Sequence, residues 1–295
     1  MSTFFLFLLL FISTPPPSSA QQTLSSFSIS NSPWTPRDNL TSPNSAFAAG
    51  FLPLPSSPNL FNFSIWFHNI SAANSVVWST TYPLAPSAAL SITSTGLLLL
   101  SNSSSSSNQN LWPTPPSGET NTTQLKLRND GNLIYGGWES FTFPTDTALP
   151  NQTLTGNNFT LVSKNRKFRF INSTQLVFNV TEPYQDLTNA FQSFDSAGKM
   201  TQANGASFIV SDFGPKRSRR LTLDNDGNLR IYSFDPSLHS WTVVWQSGYE
   251  LCQVHGTCGP NAICVSDGAT SDYYCVCPPG RIGRQLTSVN ASQDV

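Results

Sequence analysis

Charge is scarce in this sequence. Asp, Glu, Lys and Arg make up 11% of 295 residues, and the formal net charge is −1. Without a basic excess there is little to neutralise phosphates, which argues against nucleic-acid binding. Methionine occurs only twice, and Lys and Glu are sparse. Ser, Thr, Asn, Pro and Phe dominate instead, a mix that favours strands and turns over helices. Beyond the N-terminus no apolar run is long enough to cross a bilayer as a helix. The three histidines, His68, His239 and His255, are scattered. They assemble no nucleophile–base–orienter set, so no catalytic residue is assigned.

The apolar run Phe4–Ile12 is too short for a mature membrane span. With Ser18, Ser19 and Ala20 before Gln21, residues 1–20 read as a signal peptide, although no Lys or Arg precedes the run. The Asn-x-Ser/Thr sequon recurs at Asn39, Asn62, Asn69, Asn102, Asn121, Asn151, Asn158, Asn172, Asn179 and Asn290. So many matches in one chain fit a glycosylated, exported surface. All five cysteines fall between Cys252 and Cys277, a cluster that reads as a disulfide framework. An extracellular, soluble product is expected.

Residues 21–153 hold short apolar or alternating runs separated by Pro, Gly, Asn and Ser, the pattern of a β sandwich, barrel or prism. Ser101–Asn108 is a polar, low-complexity insert. A repeat is visible: Trp78 to Trp112 spans 34 residues and Gly96 to Gly131 spans 35. A constant period implies a repeated hairpin, with Asp130-Gly131 supplying a tight turn. Residues 154–248 repeat the idea more loosely, with Leu221–Tyr232 as the same hairpin around Gly227. Residues 249–280 are the cysteine module, and 281–295 form an expected disordered tail.

Several motifs are set aside. Asp212-Phe213-Gly214 spells a kinase triplet but lacks every companion motif, and reads as a turn. Asp224-x-Asp226-x-Asn228 begins like a calcium loop, yet Leu229 and Asp235 stand where Gly and Glu are needed. The cysteines do not form CxxC knuckles, which argues against zinc. No metal site and no cofactor is expected. The basic run Lys216–Arg220 reads by default as a solvated loop.

Three segments resemble the extracellular region of plant S-domain (G-type lectin) receptor-like kinases and S-locus glycoproteins. They are Trp138–Gln152, the Gly-turn hairpins, and Cys252–Cys277 with His255-Gly256-Thr257-Cys258-Gly259. The resemblance implies an all-β architecture: a bulb-type lectin β-prism at 21–153, a second, degenerate β domain of S-locus-glycoprotein type at 154–248, and an incomplete EGF-like module at 249–280. An EGF-like pairing would join Cys252 to Cys264 and Cys258 to Cys275. Cys277 would then lack a partner, or pair between chains. In full-length relatives a membrane span and a Ser/Thr kinase follow, and this chain stops before either.

Bulb lectins hold mannose with Gln-x-Asp-x-Asn-x-Val-x-Tyr. On a strand, residues two apart share a face, so the four polar groups line one groove. Around Gly131, Asp130 and Asn132 match and Ile134 replaces Val, but Arg128 replaces Gln and Gly136 replaces Tyr. Around Gly227, Asp226, Asn228 and Tyr232 match, but Asp224 replaces Gln and Arg230 replaces Val. These residues are therefore either a weakened sugar site or turn residues that the fold needs in any case. The implied role is extracellular recognition of a mannose-type glycan, cell-wall carbohydrate, glycoprotein or peptide, with a receptor partner or a second copy of the chain. In the family such recognition feeds kinase signalling and, in some members, recognition of pollen. The alternatives are a fragment of an active receptor kinase and a free mannose-binding defence lectin.

Overall fold

The computed structural model describes residues 26–28, 33–36, 38–71, 75–102, 112, 124–155, 159–178, 182–187, 190–214, 217–247, 252, 262–266 and 273–276. The expected signal peptide and tail lie outside these residues. So do Cys258, Cys277, Asn121, Asn158, Asn179 and Asn290.

Among the described residues the protein is all-β, apart from one 3-10 turn at Ser140–Thr142. The first unit holds β1 (Ser26–Ser28), β2 (Asn39–Thr41), β3 (Phe47–Leu54), β4 (Ser57–Phe67), β5 (Val76–Ser79), β6 (Ala88–Ile92), β7 (Leu98–Asn102), β8 (Gln124–Leu127), β9 (Leu133–Tyr135) and β10 (Trp138–Glu139). They form three antiparallel sheets, ordered β2-β3-β4-β5, β6-β7 and β1-β8-β9-β10. The sequence dictates the inward faces by alternation: Ala88, Leu90 and Ile92 are buried along β6, Leu125 and Leu127 along β8. Trp78, Trp112 and Trp138 meet at the centre, with ring centroids 5.1–5.9 Å apart.

The second unit holds β11 (Thr147–Ala148), β12 (Thr160–Val162), β13 (Phe168–Ile171), β14 (Gln175–Phe178), β15 (Glu182–Asp186), β16 (Phe191–Phe194), β17 (Lys199–Gln202), β18 (Ser207–Ile209), β19 (Arg219–Leu223), β20 (Leu229–Asp235) and β21 (Ser240–Gln246). Again there are three sheets, β12-β13-β14-β15, β16-β17-β18 and β11-β19-β20-β21. Phe191, Phe208 and Trp245 pack together, with centroids 5.3–6.0 Å apart. This unit is degenerate in sequence, yet it follows the same three-sheet plan. β22 (Ile263–Ser266) and β23 (Tyr273–Val276) form a separate hairpin beside the disulfide Cys252–Cys264.

One turn recurs through both units, at three places in the first and, among the described residues, at four in the second, including the turn around Gly205 between β17 and β18. In each, the residue entering the turn and the residue leaving it are joined by a backbone N–H···O bond, and one residue between them adopts positive φ. That residue is Ser45, Gly96 and Gly131 in the first unit, and Arg166, Gly198, Gly205 and Gly227 in the second. Side chains repeat as well. Ser42 and Asn44 bond each other and cap Phe47 and Ala46, as Ser163 and Asn165 do for Phe168 and Lys167. Asn44 reaches across to Asn129, and Asn165 likewise to Asn225.

The units are joined rather than strung. β11 pairs with β19, placing Thr147 opposite Thr222. Ala148 lies in the second core while its neighbour Leu149 lies in the first. Trp241 of β21 packs on Phe67 of the first unit at 5.4 Å.

The basic run departs from its expected solvated loop. Arg219 and Arg220 are buried on β19. Arg219 donates to the Ser196 and Asp212 carbonyls and pairs with the Asp212 carboxylate at 3.1 Å. Arg220 lies 4.5 Å from the centroid of Trp241. Both rest on partners outside their own strand. Asp212, first residue of the kinase-like triplet, sits in a turn and is committed to this clasp.

Candidate functional site: the two Asp-Gly-Asn hairpins

The hairpin around Gly131 lies between β8 and β9. Asp130 accepts from the Asn132 N–H at 3.1 Å, and Arg128 lies 3.6 Å from Asp130. Asn132 is buried and its amide is engaged at both nitrogen and oxygen. Its Nδ2 donates to Glu139 at 2.9 Å, while its Oδ1 accepts from the Ser140 hydroxyl and the Phe141 N–H. Ile134 is half-buried beside it. Tyr135, next to the position where the motif wants a phenol, faces inward and donates to the Gly96 carbonyl at 2.8 Å. This hairpin thus presents a turn carboxylate and an exposed arginine, but no converging set of amide, carboxylate and phenol.

The hairpin around Gly227 lies between β19 and β20 and keeps more of the motif. Asp226 accepts from the Asn228 N–H at 2.9 Å, the same turn bond as in the first hairpin. Asn228 is buried and accepts from Ser247 at 2.9 Å, as Asn132 does from Ser140. Asp226, Asn228, Arg230 and Tyr232 follow at two-residue spacing, as one face of a strand requires.

Arg230 fills the centre of this face. It donates to Asp224 Oδ2 at 2.6 Å and to both oxygens of Asp226 at 3.0 and 2.7 Å, while its Nε donates to Gln246 at 3.3 Å. The Tyr232 hydroxyl donates to the same Asp224 oxygen at 2.8 Å. Charge-assisted bonds of this length are the strong kind, and the planar guanidinium fork suits two carboxylates at once. Burial opposes the charge on Arg230, but the bonds and charges of Asp226, then Asp224, outweigh it and hold its pKa above the ordinary guanidinium value. Burial pushes the Asp224 carboxyl up, against the pull of Arg230 and Tyr232. Burial, and then the Asp224 charge, push the Tyr232 phenol up. The polar groups that would meet sugar hydroxyls are satisfied from within.

The structure therefore brings Asp226, Arg230 and Tyr232 together and adds Asp224 and Gln246. It commits Asn132 and Asn228 to serine partners, and leaves Arg128 and Asp130 at an open turn with Ile134 half-buried on β9. The role of Arg230 is what the motif comparison missed. Its place on the Asp226 and Tyr232 face was available from strand alternation alone.

Of the disulfides expected, Cys252–Cys264 is present, with Cα atoms 5.2 Å apart. No cluster of three or more His, Cys, Asp or Glu able to hold a metal ion occurs among the described residues. No helix among them is long and apolar enough to cross a membrane.

Two three-sheet units whose hairpins keep part of the bulb-lectin spacing define a β-rich, lectin-like region. Residues 173–283 match the S-locus glycoprotein domain family. A Zea mays protein named as a receptor kinase is 31% identical, over 82% of this chain and 34% of its own length. A G-type lectin S-receptor-like serine/threonine-protein kinase of Oryza sativa subsp. indica is 29% identical, over 82% and 36% respectively. A solved Marasmius oreades lectin, 18% identical, aligns over 38% of this chain and 95% of its own, with a TM-score of 0.29; the fold description rests on strand pairing instead. The chain carries an S-locus glycoprotein domain and is, over most of its length, of the S-domain receptor-like kinase ectodomain type. It spans about a third of the length of these two relatives.

Proposed function

We propose that the chain is the extracellular recognition module of an S-domain receptor-like protein, exported through residues 1–20 and glycosylated at its exposed sequons. Its ligand is a carbohydrate, glycoprotein or peptide, and the cysteine region is an EGF-like spacer. The observation that carries this reading is the pair of three-sheet units, each holding turns of one design on a β scaffold. Variable loops on a rigid scaffold are a common basis for recognition. A free mannose-binding lectin fits less well, because Arg230 occupies the better-kept groove. A second reading is favoured by the names of the relatives: the whole protein is a serine/threonine kinase that this module regulates, with recognition of pollen among the family's roles.

The test is secretion of the tagged chain from plant cells, followed by arrays of cell-wall glycans, glycoproteins and plant peptides. Recovery from the apoplast and specific binding to at least one probe other than simple mannosides is expected. Retention inside the cell, or a binding profile confined to mannose, would overturn the reading.

A further inference from the structure

Positive charge is unevenly placed. Ten of the fifteen Lys and Arg residues lie within 154–248, against seven of the sixteen Asp and Glu. Most of these arginines are committed, as described for Arg219, Arg220 and Arg230. The turn between β12 and β13 differs. Lys164, Arg166 and Lys167 are all exposed. Among the described residues no carboxylate lies within ion-pair distance of any of them. The turn is nevertheless firmly held, since Asn165 bonds Asn225 twice at 2.8 Å. A fixed turn with free cations pays little ordering cost when it binds.

This turn leans on the first unit. Arg166 Nη2 donates to the Thr81 carbonyl at 3.5 Å, next to Tyr82, which is 63% exposed. Close by, the Val162 N–H donates to the Thr145 carbonyl, and Trp78 donates to the carbonyl of the partly exposed Phe143. An uncovered phenol and three cations without a carboxylate partner among the described residues therefore border one seam between the units.

We propose that this seam binds acidic oligosaccharides built from uronate sugars. A uronate ring offers an apolar C–H face for Tyr82 and a carboxylate for the cations, in the bonding that guanidinium favours. A neutral mannoside supplies only the first. The proposal rests on the reading of the chain as a recognition module.

The probe is soluble polygalacturonate, with its fully methyl-esterified form as the neutral control and poly-glutamate as a charge-only control. Binding to the full chain is measured by biolayer interferometry. The expected result is binding to polygalacturonate that weakens with salt, with neither control bound comparably. Tyr82→Ala and the pair Lys164→Ser/Lys167→Ser should each weaken it by about tenfold or more, while Tyr82→Phe should leave it unchanged. Circular dichroism confirms folding of each variant. No binding, equal binding to poly-glutamate, or indifference to Tyr82→Ala would overturn the proposal. Binding to another array probe without polygalacturonate binding would remove this site alone and leave the recognition reading in place.

Discussion

Arg230 and Asp224 stand on opposite arms of one hairpin, joined by a 2.6 Å bond. Asp224 ends the arm that enters the turn, and Arg230 lies on the strand that leaves it. Where the lectin motif asks for an amide and a valine, this chain has an ion pair.

Removing Arg230 strands two carboxylates in a largely dry setting. The Arg230 side chain is 11% exposed and that of Asp224 is 23%. Arg230→Ala is expected to cost about 2–3 kcal/mol of unfolding free energy. Arg230→Lys should recover only part of it, because one ammonium cannot fork to two carboxylates. Urea denaturation followed by tryptophan fluorescence measures both.

The double substitution Asp224→Gln/Arg230→Val completes the motif around Asp226, Asn228 and Tyr232. Binding to a mannose resin should appear in this variant and be absent from the unaltered chain. Equal retention of the two would contradict self-occupation of the groove.

Two carboxyls give opposite pH dependences in separate windows. Burial raises the Asp224 pKa above its unfolded value of about 3.9. Its stabilising contribution is therefore full below that value and declines as pH rises through the folded one. Hydrogen bonds from Ser237 hold the Asp235 carboxyl below the ordinary range. Its contribution is full above the unfolded value and is lost as pH falls through the folded one. Denaturation midpoints against pH should show Asp224→Asn flattening the profile above about pH 4, and Asp235→Asn only below it.

Gly131 and Gly137 both have φ of +88°, but their surroundings differ. A Cβ on Gly131 would lie 2.6 Å from Leu149 Cδ1 and 2.9 Å from Phe47 Cε1, whereas one on Gly137 would meet nothing within 4 Å. Gly137→Ala should cost about 1 kcal/mol for backbone strain alone, and Gly131→Ala about 1–3 kcal/mol more for overpacking. Thermal unfolding of the two variants should separate the costs.

Glycans should favour Asn69, Asn151 and Asn172, whose side chains are exposed. Half-buried Asn62 can donate both amide hydrogens, one to the Phe61 carbonyl and one to the Tyr82 carbonyl, and half-buried Asn102 accepts from the Ala85 N–H. A glycan on Asn62 would displace one of its bonds. Glycopeptide mass spectrometry of secreted protein should find high occupancy at the first three sites and low occupancy at Asn62 and Asn102.

Much of this architecture is local, and what is local was legible. Alternation in Ala88–Ile92 and Gln124–Leu127, and the turns at Gly131 and Gly227, are written within a few residues of one another. The equivalence of Ser45 and Arg166 to the turn glycines was not, because neither residue type announces positive φ. The commitments of Arg219 and Arg220 depend on Asp212, Ser196 and Trp241, which only the tertiary fold brings near. The candidate grooves fall between these cases. Their residues were correctly located by spacing, but whether each polar group faces a ligand or a neighbour was decided by Glu139, Ser140 and Ser247, which lie outside the motif.

The short strand Thr147–Ala148 also has a mechanical meaning. It completes the edge of a sheet in the second unit, and the very next residue is bolted into the first core. Rotation between the units would have to tear that ladder, so a load arriving at one unit passes to the other without a hinge to absorb it. A second unit expressed from residue 154 onward would expose β19 as a bare edge, inviting intermolecular strand pairing.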